Sequence, residues 1–346
     1  MIFQYLVLEI LKRIQKERSI SSPFHLLRGK RSGQTVQDVG IFRLHSFFGI
    51  LPKLQRRFYD ETIDRFVEQH FIILIDDTYQ LTEKGNRLLE QYAPLPFDGW
   101  HYQGNEHVFF SRLSLIVQSL SHSKAGKMSF SPIQKDEQIQ LWVRSFLIKN
   151  QYAKGHLQHI LYDEIVESLA QTPVQERAKD IVSKRLAGFG VPGFTWQQIS
   201  IEQDLTEMDV QLIYISCLHA WLNVISDNPA VYPYLFQMMD NIRIEVPLSG
   251  SAYQTAALFK KGYSIEQISH MRRLKQNTIE DHIVELAMND PTFSIEQFVQ
   301  KDDIKRIYRA TENYQTKKLK ILKEALPHLS YFQIRLVLTR GEEQWN

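Results

Sequence analysis

Six positions in the C-terminal third of the chain concentrate groups that bind rather than cut. Arg272, Arg273 and Lys275 supply cations, Gln276 and Asn277 supply side-chain amides, and Thr278 supplies a hydroxyl. Guanidinium and ammonium groups neutralise phosphate oxygens. An amide offers a donor and an acceptor side by side, which matches the edge of a base. A second basic set, Arg28, Lys30, Arg31, Lys53, Arg56 and Arg57, lies near the start. Residues 1–57 hold eleven Lys or Arg against Glu9, Glu17 and Asp38, a balance of +8; because the whole chain balances at +2, the remainder carries −6. Such asymmetry points to an anionic partner for the N-terminal part.

Residue sets for bond-breaking chemistry are not found. The loop G-K-R-S-G-Q-T, residues 29–35, places Lys30 before Gly33 and follows no apolar strand, so it does not make the phosphate cradle G-x-x-x-x-G-K-[ST]. His156 and His159 are three apart, with Asp163 and Glu164 a turn later, but no further ligand cluster accompanies them and no metal is expected. Cys217 and His219 are two apart within an apolar helical run and face different sides. Neither G-x-S-x-G nor H-E-x-x-H occurs. The expectation is a chain that is not an enzyme and needs no cofactor. With Cys217 as the single cysteine, no disulfide can form within the chain, which fits a cytoplasmic location.

The elements that position the first set read as a helix-turn-helix over residues 262–286. Gly262 ends a preceding helix, Ser264 caps the next, and Gln267 completes a capping box. Ile265 and Ile268 face inward, Arg272 and Arg273 fall at the turn, and Leu274 fills the angle. The following helix buries Ile279, Ile283 and Leu286. Two helices so joined form a common DNA-docking unit. Residues 193–214 echo this stretch at a shift of 69: Gly193, Gln198, Ile199, Ser200 and Leu205 fall on Gly262, Gln267, Ile268, Ser269 and Leu274. The echo carries Asp204, Glu207 and Asp209 in place of Arg273, Gln276 and Thr278. Those carboxylates repel phosphate, so this corner is expected to contact protein.

The fold class expected is mainly α in three modules. Residues 1–95 form a winged helix: helices, among them Val36–Phe48 capped by Thr35, then a hairpin of Phe71–Ile75 and Tyr79–Leu81 about Asp76-Asp77, then a helix capped by Thr82. Residues 105–245 read as a helical middle, the echo corner included, and residues 250–346 hold the helix-turn-helix. A further basic stretch, residues 300–323, is expected to add to its cationic face, and Glu342 to Asn346 read as a frayed tail. The first helix lacks a basic start and contains Glu9, which is unlike a signal peptide. No apolar run is expected to cross a membrane.

L-L-R-G-K-R-S, the helix ending in F-F-G, and F-I-I-L-I-D-D-T-Y-Q-L-T-E-K-G-N-R-L-L resemble the winged helix that follows the motor in RecQ-type helicases. A-A-L-F-K-K-G-Y-S-I-E-Q-I-S, L-K-Q-N-T-I-E-D-H-I and L-K-E-A-L-P-H-L-S-Y-F-Q-I-R-L-V-L resemble the helix-turn-helix at the far C-terminus of many such helicases. A chain with both and no motor is similar to the Firmicute YpbB-like family, encoded beside a short RecQ-type helicase. The resemblance covers roughly residues 20–92 and 250–340. It implies a non-catalytic accessory subunit that binds DNA at forks or junctions, largely without regard to sequence, and partners a RecQ-type helicase in repair or fork processing. Three features depart from it. The hairpin tip is acidic where some relatives carry an aromatic wedge, the third helix carries Asp60, Glu61, Asp64 and Glu68, and Glu280, Asp281 and Glu285 lie on the helix that would read bases. The rival expectations are a helix-turn-helix transcription regulator and a protein-interaction scaffold.

Overall fold

The computed structural model describes residues 1–76, 78–127 and 129–341. The expected turn residue Asp77 and the tail Glu342 to Asn346 lie outside the described residues. In chain order the helices are α1 (Ile2–Ile14), α2 (Ser22–Leu27), α3 (Gly33–Ile41), α4 (Arg56–Glu68) and α5 (Glu83–Glu90). There follow α6 (Gly99–Tyr102), α7 (Glu106–Lys124), α8 (Glu137–Lys149), α9 (His156–Gln171), α10 (Glu176–Lys184), α11 (Trp196–Gln203), α12 (Glu207–Asp227) and α13 (Pro233–Met238). The last are α14 (Gly250–Phe259), α15 (Ile265–Arg272), α16 (Gln276–Asn289), α17 (Lys301–Tyr314), α18 (Leu319–Ala325) and α19 (Tyr331–Arg340). Strands β1 (Ile72–Ile75) and β2 (Thr78–Leu81) pair antiparallel between α4 and α5, with Ile72 opposite Leu81. The chain is mainly α-helical with a small hairpin, as its sequence leads one to expect.

The helices gather into two compact units, one of Met1–Leu6 with Tyr92–Ile244 and the other of Val7–Gln91 with Glu245–Asn346. The basic start of the chain and the C-terminal helix-turn-helix therefore belong to one unit, although more than 150 residues separate them in sequence.

In that unit α16 is central. It packs against α3, α14, α15 and α19, and buries Ile279, Ile283 and Leu286 as well as His282, Val284, Glu285 and Ala287. The approach of α3 is close: a Cβ on Gly40 would stand 2.7 Å from Met288 Sδ. The helix expected over 36–48 starts earlier and stops sooner. Ser32, not Thr35, is its cap, accepting the Thr35 N–H, and the chain turns at Arg43 with φ 54°. That turn closes through Leu44 N–H to the Val39 carbonyl at 2.8 Å, after which only a short 3-10 turn over His45–Phe47 follows. The hairpin is fixed at its base. Tyr79 donates to the Leu11 carbonyl at 2.9 Å, and Thr82 caps α5 through the Gly85 N–H. Gly85 is obligatory here, since a Cβ would lie 2.3 Å from the Phe71 carbonyl oxygen.

The other unit is built around α12, which packs on α7, α9, α10, α11 and α13. Trp221, fully buried, donates to Ser168 Oγ at 2.7 Å. By length and composition alone α12 could cross a membrane, which corrects the expectation that no such run exists; 72% of its most apolar window is buried inside this unit. Glu164 is turned inward to accept the Tyr234 and Leu235 N–H groups, capping α13 and leaving the neighbouring histidines without it. Burial pushes the Cys217 thiol up to about 12, so it is an inert core group.

Candidate nucleic-acid interface

The helix-turn-helix forms as its sequence dictates. Ser264 Oγ accepts the Gln267 N–H and the Gln267 side chain accepts the Ser264 N–H, so both orphan donors at the start of α15 are satisfied. Arg273 takes the left-handed conformation, φ 53°, and Leu274 N–H returns to the Ser269 carbonyl at 3.1 Å. Ser269 Oγ donates to the Leu274 carbonyl at 2.6 Å and locks the turn. Lys275, Gln276 and Asn277 then emerge exposed at the start of α16, with Arg273 exposed beside them and Thr278 half-buried.

Arg272 is different. Its guanidinium donates to the Ser251 carbonyl at 2.7 Å, to Ser251 Oγ and Gln254 Oε1 at 3.0 Å each, and to Thr255 Oγ1. The side chain expected to meet DNA instead fastens α15 to α14. The first turn of α16 is thus the part of this helix offered outward, because α3, α14 and α19 cover the rest.

That geometry also resolves the acidic residues of α16. Asp281 pairs with Arg335 and accepts from Gln37 Nε2 at 3.2 Å. Glu285 accepts from Ser249 Oγ at 3.0 Å and lies 3.7 Å from Arg31. Glu280 reaches Arg335 at 4.0 Å. These carboxylates tie α16 to the elements around it, Glu285 buried and Asp281 and Glu280 partly exposed.

Five of the six N-terminal candidates lie around α2, the loop before α3 and the start of α4. The guanidinium groups of Arg28 and Arg56 stand 5.4 and 5.2 Å from the centre of the Phe24 ring. Arg28 donates to the Pro52 carbonyl at 3.3 Å, next to exposed Lys53. Lys30 is exposed in the loop, and neither Lys30 nor Lys53 has an ion pair among the described residues. The positive field is felt by His25, whose pKa is lowered by partial burial and then by Lys30, Arg56 and Arg28. Arg56 and Arg57 pair with Asp60 and Glu61 one turn on, at 2.8 Å each. Arg31, the sixth, points to the C-terminal part of the unit. It stands beside Glu285 and over the Phe48 ring at 6.0 Å. Phe24 and His25 were not evident as part of this patch from sequence; an aromatic pair two residues from a basic loop is a usable signal.

In the basic stretch over 300–323, Lys317 donates to the Ile41 carbonyl at 2.7 Å and Lys323 to the Pro327 carbonyl at 2.7 Å. Arg306 pairs with Asp303, and Lys301 with Glu296. Lys305, Arg309, Lys318 and Lys320 are exposed.

The echo corner repeats the frame in the other unit. Thr195 and Gln198 make the same reciprocal capping box, Asp204 takes φ 51°, and Leu205 N–H returns to the Ser200 carbonyl at 3.0 Å. Of its acidic residues Asp204 and Glu207 are exposed, but Asp209 is buried. Asp209 accepts the Phe3 N–H at 2.9 Å, so its carboxylate is engaged inside the unit and is corrected as a contact residue.

Residues 251–338 match the family model described as a helix-turn-helix domain. Across its length the chain is 30% identical to Protein YpbB of Bacillus subtilis (strain 168), over 355 aligned positions covering 99% of each chain. No solved structure matches it.

Proposed function

We propose that this chain, which belongs to the YpbB family, is a non-catalytic cytoplasmic DNA-binding subunit that partners a RecQ-type helicase at forks or junctions. The observation that carries the DNA reading is the exposed first turn of α16, with Arg273, Lys275, Gln276 and Asn277 outward, on the same compact unit as the basic patch around Phe24. Backbone phosphates are the natural ligands of such cations, and the binding is then strongly salt-dependent. The match of residues 251–338 to a helix-turn-helix domain supports the same reading. Partnership with a helicase rests on the resemblance of residues 20–92 and 250–340 to two modules that RecQ-type enzymes carry beyond their motor. Work in DNA repair or fork processing follows from that partnership.

The exposed amides Gln276 and Asn277 favour one alternative, a transcription regulator that reads an operator. Binding of purified protein to a fork, a four-way junction, plain duplexes of varied sequence and single strands separates the two. An accessory subunit prefers the fork or junction whatever the sequence; a regulator prefers one duplex sequence. Co-purification tests the partner. Lysine at Asp204 and Glu207 is expected to weaken a RecQ-type complex while DNA binding by the variant is unchanged. Full retention of the helicase by that variant removes the echo corner as the contact, and its absence from the wild-type pull-down removes the partnership.

A further inference from the structure

We infer that the N-terminal basic loop and the first turn of α16 form one continuous surface that grips a single stretch of duplex, an inference that rests on the DNA-binding reading above. The two segments are distant in sequence but adjoin in space. Arg31, Ser32 and Gly33, at the start of α3, and Thr278, Asp281 and Glu285, on α16, line one groove of about 190 Å³. A Cβ on Gly33 would stand 3.9 Å from Asp281 Oδ2, and Gln37 Nε2 donates to Asp281 Oδ1 at 3.2 Å. The N-terminal ends of α3 and α16 thus flank the same groove.

The cations continue from either side. Lys30 precedes Arg31, and beyond it come Arg28 and Arg56 over Phe24, then Lys53. On the other side Lys275, Gln276 and Asn277 lie exposed in the residues just before Thr278. The carboxylates in the groove are engaged by this unit's own donors. Asp281 is paired with Arg335 and held by Gln37; Glu285 is held by Ser249 and faces Arg31.

The packing of α3 on α16 and α19 holds the spacing of the two halves. A helix-turn-helix alone, offering only the first turn of its second helix, has few contacts with which to bind. The loop supplies phosphate contacts without sequence information and sets how α16 meets the groove; Gln276 and Asn277 are left to touch base edges or phosphates. When two halves are held on one rigid frame, the second contact is intramolecular, and loss of either half costs far more than its own contacts measured alone.

The test uses the full chain and a duplex of about one helical turn, roughly 10 base pairs. Stoichiometry is read at saturation by sedimentation, and affinity at low salt is measured for the wild type and two variants. One variant carries Arg28→Ala, Lys30→Ala and Lys53→Ala; the other carries Lys275→Ala, Gln276→Ala and Asn277→Ala. The expected result is one duplex per chain, with each variant weakened on the order of tenfold or more on that same duplex. Two duplexes bound per chain, or full affinity retained by either variant, overturns the single surface while leaving DNA binding intact. Binding of a fork or junction but of no duplex by the wild type also overturns the single duplex surface, and no binding of any of the three overturns the DNA reading itself.

Discussion

Replacing Arg28, Lys30 and Lys53 together with Ala probes the electrostatics of the basic patch with the least structural disturbance. These three lack an internal carboxylate partner among the described residues, whereas Arg31, Arg56 and Arg57 face Glu285, Asp60 and Glu61. Removing one of the latter would leave a carboxylate unpaired and add repulsion to the loss of a cation. Arg28 does stack on Phe24, but an exposed cation–π contact contributes only about 0.5–1 kcal/mol. Each phosphate contact contributes about 0.9 to the slope of log affinity against log salt on duplex, so three lost contacts flatten it by about 2.7. Over a fourfold rise in salt, the wild type should therefore lose about 40-fold more affinity than the variant. Fluorescence anisotropy on one duplex across a salt series reads the slope, and a melting curve confirms that the variant is folded. An unchanged slope with unchanged affinity refutes the patch as a phosphate site. A changed slope for one sequence but not for others refutes its independence of sequence.

Arg272→Ala is expected to lower stability by about 2 kcal/mol or more, since it removes several hydrogen bonds from a charged donor; Arg273→Ala, at the exposed left-handed position, should leave the melting temperature nearly unchanged while weakening DNA binding. Equal melting of the two variants would contradict the structural role of Arg272. Gly85→Ala should destabilise by roughly 1–3 kcal/mol through the clash with the Phe71 carbonyl, read as a shift of the denaturant midpoint. His282 has its pKa lowered from 6.5 by burial and by Arg272. Above 6.5 both folded and unfolded chains keep it neutral; as pH falls through and below 6.5 the unfolded state takes up the proton first, so stability falls. His282→Gln should flatten that part of the melting-temperature profile, and a profile of unchanged steepness would show that His282 is not its source.

Local signals were legible where a single side chain closes a single backbone bond. Ser264 with Gln267, Thr195 with Gln198, Thr82 and the hairpin all follow from such short-range chemistry, and the apolar spacing of Ile279, Ile283 and Leu286 gave the inward face of α16. Burial on the other faces of α16 was not legible, because its covering helices α3 and α19 come from sequence far to either side. For the same reason Arg272 read as a DNA contact. Its acceptors Ser251, Gln254 and Thr255 lie about 20 residues earlier, and nothing in spacing alone predicts that a guanidinium will fold back on them. Asp209 misled in the opposite sense: it read as an acidic surface group, but its partner is the Phe3 amide, 206 residues away.

The two corners show how one backbone frame can carry an acidic surface in one place and a basic one in another. Both use a capping box, an eight-residue helix, a left-handed residue and a leucine whose amide returns five residues. In each, the helix before the corner packs on the helix after it, α10 on α12 and α14 on α16. The backbone solution is shared, so the side chains at three places decide what the corner can meet. Where the left-handed residue is Arg273, the next helix opens with Gln276 and Asn277, and its Thr278 lines a groove beside Arg31. Where that residue is Asp204, the next helix opens with Glu207, and Asp209 at the place of Thr278 is engaged by the Phe3 amide. Asp209 in the first turn of α12 is therefore engaged by the chain itself, while Asp204 and Glu207 stay exposed, as does the start of α16. A phosphate approaching the first corner meets two exposed carboxylates; one approaching the second meets two exposed cations and two amides. The shared frame of the two corners thus carries no information about ligand, and the proposal of DNA at one of them rests on charge and exposure at those few positions.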